Sequence, residues 1–274
     1  MEQIFSNIPM LTWRWLGVND MKVDEKLLAS PSERSYSVDD DEELVLEFTK
    51  SSYEKLSFDV KDGKRLKLVL VQTVPTTEDH LSHVEITLGE KSHADVVAVE
   101  VGAKKTTSEV KVILAGAKSS ADVDVLYFGD EARTLDLNYI MEQSGRETNA
   151  NLNVYGALIG ESKKTFRGTL DFKQGAKGAI GHEKENVIVL SKAVKNKSVP
   201  LMLSGEDDVD GHHAVSIGKI DEDKLYYLMS RGLDLAEARM LVVEASFNPV
   251  LDLLPTLELK AMVHSYISER LTNV

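Results

Sequence analysis

Two adjacent histidines are the residues best suited by type to do chemistry in this chain. His212 and His213 lie in the run Asp208-Val209-Asp210-Gly211-His212-His213-Ala214. Imidazole is a common metal ligand and the side chain that exchanges protons near neutral pH. The bland alternative is a hydrogen-bonded histidine pair at a junction between elements. The remaining histidines, His80, His83, His93, His182 and His264, are scattered. His182-Glu183-Lys184-Glu185-Asn186 begins like the H-E-x-x-H zinc helix, but the second histidine is missing. The sequence has no Walker A loop, no G-x-G-x-x-G and no G-x-S-x-G nucleophile elbow.

Cysteine is absent from all 274 residues. That excludes disulfides, thiolate nucleophiles, cysteine zinc sites and iron–sulfur clusters held by cysteines of this chain alone. Asp and Glu total 45 against 32 Lys and Arg, a net charge of −13. Nucleic-acid binding needs clustered basic residues, so this balance argues against it. With so many carboxylates, chance pairs are abundant and a glycosidase reading from spacing has little force. No apolar run approaches the length of a membrane span. The segment from Met1 to Met10 carries Glu2 and lacks an apolar signal core. The expected location is cytoplasmic, with no membrane partner.

The elements that must hold these residues change along the chain. The first part, 1–43, reads as an irregular segment. It holds Trp13 and Trp15, which flank Arg14 and suit either a ligand platform or an anchor on a core. The acidic run from Asp39 to Glu43 reads as a solvated loop before a strand. From Leu44 the apolar period becomes two, as in Leu66, Leu68 and Leu70, then Val123, Val125 and Tyr127, then Leu135, Leu137 and Tyr139. Glycines at 89, 102, 116, 129, 145, 160 and 175 punctuate these strands at intervals of 13 to 16 residues. Even spacing without helices allows a sandwich, a barrel or a solenoid, and its regularity favours the solenoid over 44–218. Glycine is expected at these corners for its tolerance of positive φ.

The tail, 219–274, switches to helical spacing. Asp221 can cap a helix over Glu222 to Arg231, with Gly232 just past its end. Asp234 and Glu237 are spaced as a capping box for a second helix that should stop before Pro249, with Ala238, Leu241, Val242 and Ala245 on one face. A third is expected from about Thr256 to Leu271, with Leu257, Ala261, His264, Ile267 and Leu271 on its stripe.

The segment Gly211 to Leu233, followed by Glu237-Ala238-Arg239 and by Phe247 with Pro249-Val250-Leu251-Asp252, resembles the C-terminal signature of the SufB/SufD family of iron–sulfur cluster assembly proteins. Phe166-Arg167-Gly168 and Gly175-Ala176-Lys177 resemble family elements further back, and Thr12-Trp13-Arg14-Trp15-Leu16 is similar to the N-terminal motif of SufD-like members. The chain looks shorter than the longer members. The resemblance implies a right-handed parallel β-helix flanked by helical segments. It implies a non-catalytic scaffold subunit that binds a SufC-type ATPase through the C-terminal helices and pairs with a SufB-type subunit, or with itself when isolated. Against the family pattern D-V-x-C-x-H-G-A-T, Asp208 and Val209 match, Gly211 replaces the cysteine and His213 occupies the histidine position. His213 is then the expected ligand to a transient cluster shared at a subunit interface, with no cofactor held by the isolated chain. Asp221, Tyr226, Tyr227, Met229 and Arg231 are the expected partner contacts, aromatic, Met and Arg residues being enriched at interface cores. The competing readings are a β-helical carbohydrate-active enzyme using surface carboxylates and a purely structural solenoid.

Overall fold

The computed structural model describes Val18, Val23 and residues 25–271. Trp13 and Trp15 lie outside the described residues. A single turn of helix, α1 (Glu25–Leu28), precedes fourteen strands that alternate between two parallel sheets of seven. The first sheet holds β1 (Ser32–Val38), β3 (Tyr53–Val60), β5 (Asp79–Leu88), β7 (Lys105–Leu114), β9 (Thr134–Gln143), β11 (Lys163–Phe172) and β13 (Lys195–Ser204). The second holds β2 (Glu42–Phe48), β4 (Arg65–Gln72), β6 (His93–Glu100), β8 (Ser120–Gly129), β10 (Asn149–Leu158), β12 (Ala179–Val189) and β14 (Val209–Gly218). Each strand from β1 to β12 pairs in parallel with the strand two later in the chain. This is a β-solenoid, the architecture that the even turn spacing favoured. Its first strand, β1, begins at Ser32, within the stretch read from the sequence as irregular.

Register converts the alternating pattern into columns. Leu44, Leu68, Val96, Val123 and Leu152 stand one above another inside the coil. Leu66, Ala94, Ala121, Ala150, Gly181 and Gly211 form a second, narrower column. Each inward Val or Leu contributes about 1.5–3 kcal/mol by leaving water.

The corner glycines act differently from the expectation. Among the described corners, positive φ falls mostly on neighbouring non-glycines, Lys91, Ala103, Lys118, Glu131 and Glu147. Gly116 is required for space: a Cβ there would meet the backbone of Gly89 and Glu90 in the previous coil. Gly145 in turn packs on the Gly116 carbonyl. The glycine rhythm therefore marks corners that stack backbone on backbone. Gly160, at φ 69°, is one corner that also needs the left-handed region.

Three helices follow: α2 (Glu222–Ser230), α3 (Leu235–Leu251) and α4 (Leu257–Leu271). The Asp234–Glu237 capping box is present in both directions. Pro249 lies inside α3, which runs on to Leu251; the expected stop before it is corrected. The helix faces also differ from the expected stripes. Ala238, Val243, Phe247 and Val250 of α3 are buried, whereas Leu241 is exposed. Leu259, Val263, Ile267 and Leu271 of α4 are buried, whereas Leu257 is 79% exposed. The reason is the surface they cover. Val71, Val99, Leu126, Phe128 and Ala157 form an outward apolar patch on the second sheet, and α3 and α4 pack against it. The outer face of a strand can therefore be as apolar as its inner face, which blurs simple alternation. No helix among the described residues is long and apolar enough to cross a membrane.

Candidate functional site

The two histidines do not sit at a junction. They occupy the middle of β14, the last strand of the second sheet. Adjacent strand residues point to opposite faces. His212 lies on the outer face, where it stacks on His182 with centroids 5.2 Å apart and its Nε2 lies 2.8 Å from an Asp210 carboxylate oxygen. His213 falls on the inward row, in register with Glu183 of β12. The column Leu44–Leu68–Val96–Val123–Leu152 thus ends in Glu183 and then His213. The neighbouring column, Leu70–Ala98–Val125–Val154, ends in Glu185 and Val215.

The acidic pair is accommodated by room made elsewhere. Glu183 is 2% exposed, and both its carboxyl oxygens lack a hydrogen-bond partner. It lies against Gly168 of β11, where a Cβ would collide with its carboxyl group. The Tyr127 hydroxyl donates to Glu185 at 3.1 Å, its ring filling the space left by Gly156. Lys164 reaches across from the first sheet to pair with Glu185, and its ammonium also donates to the Ser198 hydroxyl at 2.9 Å. Burial pushes the Glu183 carboxyl up to about 8, and the neighbouring Glu185 charge pushes the same way. Burial pulls the Lys164 ammonium down against the attraction of Glu185. An unpaired buried carboxylate is costly, so Glu183 is a proton holder inside the coil.

Gly211 cannot carry a Cβ without shifting neighbours: it would meet Met202 and Phe172. The Phe166-Arg167-Gly168 element now has a physical account. Phe166 packs inward, Gly168 admits Glu183, and Arg167 makes a buried two-point pair with Asp136 at 2.8 and 3.0 Å while donating to the Val18 carbonyl.

Above this layer the solenoid is open among the described residues. Among the described residues, β13 and β14 have no further strand beyond them. Met202, Val215 and Ile217, at 38%, 36% and 50% exposure, sit on the uncovered end. A free strand edge offers unpaired N–H and C=O groups that another chain can extend.

The expected partner contacts lie on and beside α2, which follows β14 in the chain. The Asp221 carboxylate accepts from the Asp223 N–H at 2.9 Å, so it caps the helix. None of the α2 residues is buried; Tyr226 is 77% exposed, and Tyr227 and Met229 are exposed beside it. Arg231 lies over the Tyr227 ring, 5.2 Å from its centre. Asp223, Lys224, Tyr227, Leu228 and Val242 line an open groove between α2 and α3.

A family model described as "SUF system FeS cluster assembly, SufBD core domain" matches residues 41–246. The chain belongs to the SufBD family. It is 32% identical over 126 residues to the iron-sulfur cluster assembly protein SufD of Bacillus subtilis, covering 46% of this chain and 29% of that protein. It is 26% identical over 226 residues to a SufBD family iron-sulfur cluster assembly protein of Mycobacterium tuberculosis, covering 80% of this chain and 57% of that one. A Pyrococcus horikoshii member is 31% identical over 133 residues, covering 47% of this chain and 29% of that protein. The chain thus covers less than two thirds of each of these relatives. The SufBD match runs from the turn before β2 into α3. It includes the buried Glu183 layer, β14 and α2.

Glu183, Glu185 and Lys164 were missed as site residues by sequence reasoning. Their signal was parity: Gly181, Glu183, Glu185 and Val187 occupy the inward phase of a strand. Two acidic residues in an apolar phase identify a buried ionisable pair more directly than the incomplete zinc motif that drew attention to the same stretch.

Proposed function

We propose that this SufBD-family chain is a non-catalytic subunit of an iron–sulfur cluster assembly scaffold, contributing His213 to a cluster at the open end of its solenoid. The observation that carries the reading is the column that ends in Glu183 and His213 beside a strand edge with no partner among the described residues. Imidazole nitrogen ligates iron in Rieske centres, where thiolates come from other residues. This chain has no cysteine, so the thiolates come from a SufB-type partner joined along β14 and β13. Glu183 lies one coil below, its raised carboxyl holding a proton beneath the His213 layer. The exposed aromatic face of α2 and the groove beside it suit docking of a SufC-type ATPase, whose hydrolysis would move the paired subunits. Family membership and the names of the relatives support the iron–sulfur role; the exposed end and α2 support the two partners.

The test is reconstitution of cluster assembly from the three purified subunits with wild-type or His213→Ala chain. The variant is expected to fold and assemble at the same stoichiometry while cluster yield falls several-fold. An unchanged yield rejects the ligand role.

A further inference from the structure

A second group of polar side chains lies on the outer face of the second sheet, on β6 and β8 and away from the open end. His93 and Asp95 are two residues apart on β6, and register sets them beside Ser120 and Asp122 of β8. His93 Nε2 lies 3.1 Å from Asp95 Oδ1 and 3.8 Å from Asp122 Oδ2. One ligand atom from each of these three residues falls within 4.8 Å of the others. Separations of about 3–3.5 Å are those between neighbouring donors around an ion with metal–ligand bonds of about 2.0–2.2 Å. The His93 side chain is largely buried, the Asp95 and Asp122 side chains are 49% and 41% exposed, and all three stand on paired strands.

The outer atoms of His93 and Asp122 are already held. His93 Nδ1 is 2.7 Å from the Ser120 hydroxyl, which fixes the ring. The Asn151 amide donates to Asp122 Oδ1 at 2.7 Å, leaving Oδ2 directed at His93. Such outer contacts orient the ligands of metal sites. The charge balance is incomplete. Asp95 and Asp122 face each other in register, and among the described residues the ion pairs of both go to His93. Lys67, in register with Asp95, is engaged by Glu43 at 2.9 Å. One Nε2 proton can serve one carboxylate and not both, whereas a cation between the three serves all at once.

We propose that His93, Asp95 and Asp122 bind a divalent transition-metal ion of the zinc or ferrous class, with solvent completing the coordination. One imidazole and two carboxylates form a nitrogen–oxygen donor set suited to such ions. The site belongs to this chain alone and does not depend on the cluster role of His213.

The test titrates the full-length chain with Zn2+ against a chromophoric chelator and with Co2+ followed by its visible spectrum. The wild type is expected to take one equivalent at this site. His93→Ala and Asp122→Asn, both checked for native circular dichroism, should each weaken it by at least about tenfold. A His182→Ala/His212→Ala chain should bind as the wild type does. The proposal is overturned if the wild type takes up neither metal, if binding survives in both site variants, or if it disappears only when His182 and His212 are removed.

Discussion

Glu183 and His213 stand in register on neighbouring strands, the last two members of an otherwise aliphatic column. The lower of the two is sealed and without hydrogen-bond partners; the upper is open to solvent. A solenoid repeats its interior because each coil must bury the face of the one before it. Where the repeat ends, that constraint lapses and ionisable groups become affordable. The position of Glu183 and His213 at the end of the stack therefore follows from the architecture.

The buried carboxyl gives a pH signature. Glu183 titrates at about 8 when folded, against an ordinary value of 4.5. Between those limits the folded chain holds a proton that the unfolded chain has shed, so this group makes stability fall as pH rises through that window. Glu183→Gln removes the dependence. Denaturant unfolding is expected to show the variant more stable than the wild type by about 2–4 kcal/mol at about pH 8.5, with near-equality below about pH 4.5. Equal wild-type and variant curves across that range reject a raised Glu183.

Gly168 is coupled to the same group. A Cβ at Gly168 meets the Glu183 carboxyl, so Gly168→Ala should destabilise by about 1–3 kcal/mol through overpacking. In a Glu183→Ala background the obstruction is gone, and the cost of Gly168→Ala should fall to within about 0.5 kcal/mol of zero. Additive costs in the double-mutant cycle would show that Gly168 serves some other purpose.

Much of this layout was legible in the sequence, for definable reasons. Period-two alternation and stacked corner glycines report directly on the coil, because each inward residue and each close backbone contact recurs once per coil. The caps at Asp221 and Asp234 were equally readable, being local hydrogen bonds. Long-range packing was not. Leu241 and Leu257 fit a helical stripe by spacing, yet the outward patch around Leu126 and Phe128 selects a different face of each helix. Pro249 continues α3 because its neighbours are anchored by Phe247, Val250 and Leu251 on that patch. The metal-like grouping of His93 with Asp122 was hidden for the same reason: only strand register brings β6 and β8 together.

The aromatic face of α2 makes a separate prediction. Tyr226 and Tyr227 are mostly exposed, with Tyr227 touching only the edge of the α2–α3 groove and Arg231, so Tyr226→Ala/Tyr227→Ala should leave the stability within about 0.5 kcal/mol of wild type. Hot-spot aromatic truncations cost about 2 kcal/mol or more in binding, so affinity for a SufC-type ATPase should fall at least about thirtyfold. Calorimetry on the pair would measure it. Undiminished affinity places the ATPase elsewhere on the molecule.

The open end can be closed to partners without unfolding the coil. Ile217 lies on β14 above Val187 and is half exposed, so a charged side chain there can remain in water in the isolated chain. In a continued sheet the same side chain would be enclosed against the partner's first coil, where an unpaired carboxylate costs several kcal/mol. Ile217→Glu is therefore expected to retain the wild-type circular dichroism and lower the unfolding midpoint little, while abolishing co-elution with a SufB-type subunit. It should leave ATPase binding through α2 intact, since α2 lies beyond the strand. Co-elution of the variant at wild-type stoichiometry would mean that the subunits meet through another face, and His213 would lose its place at their interface.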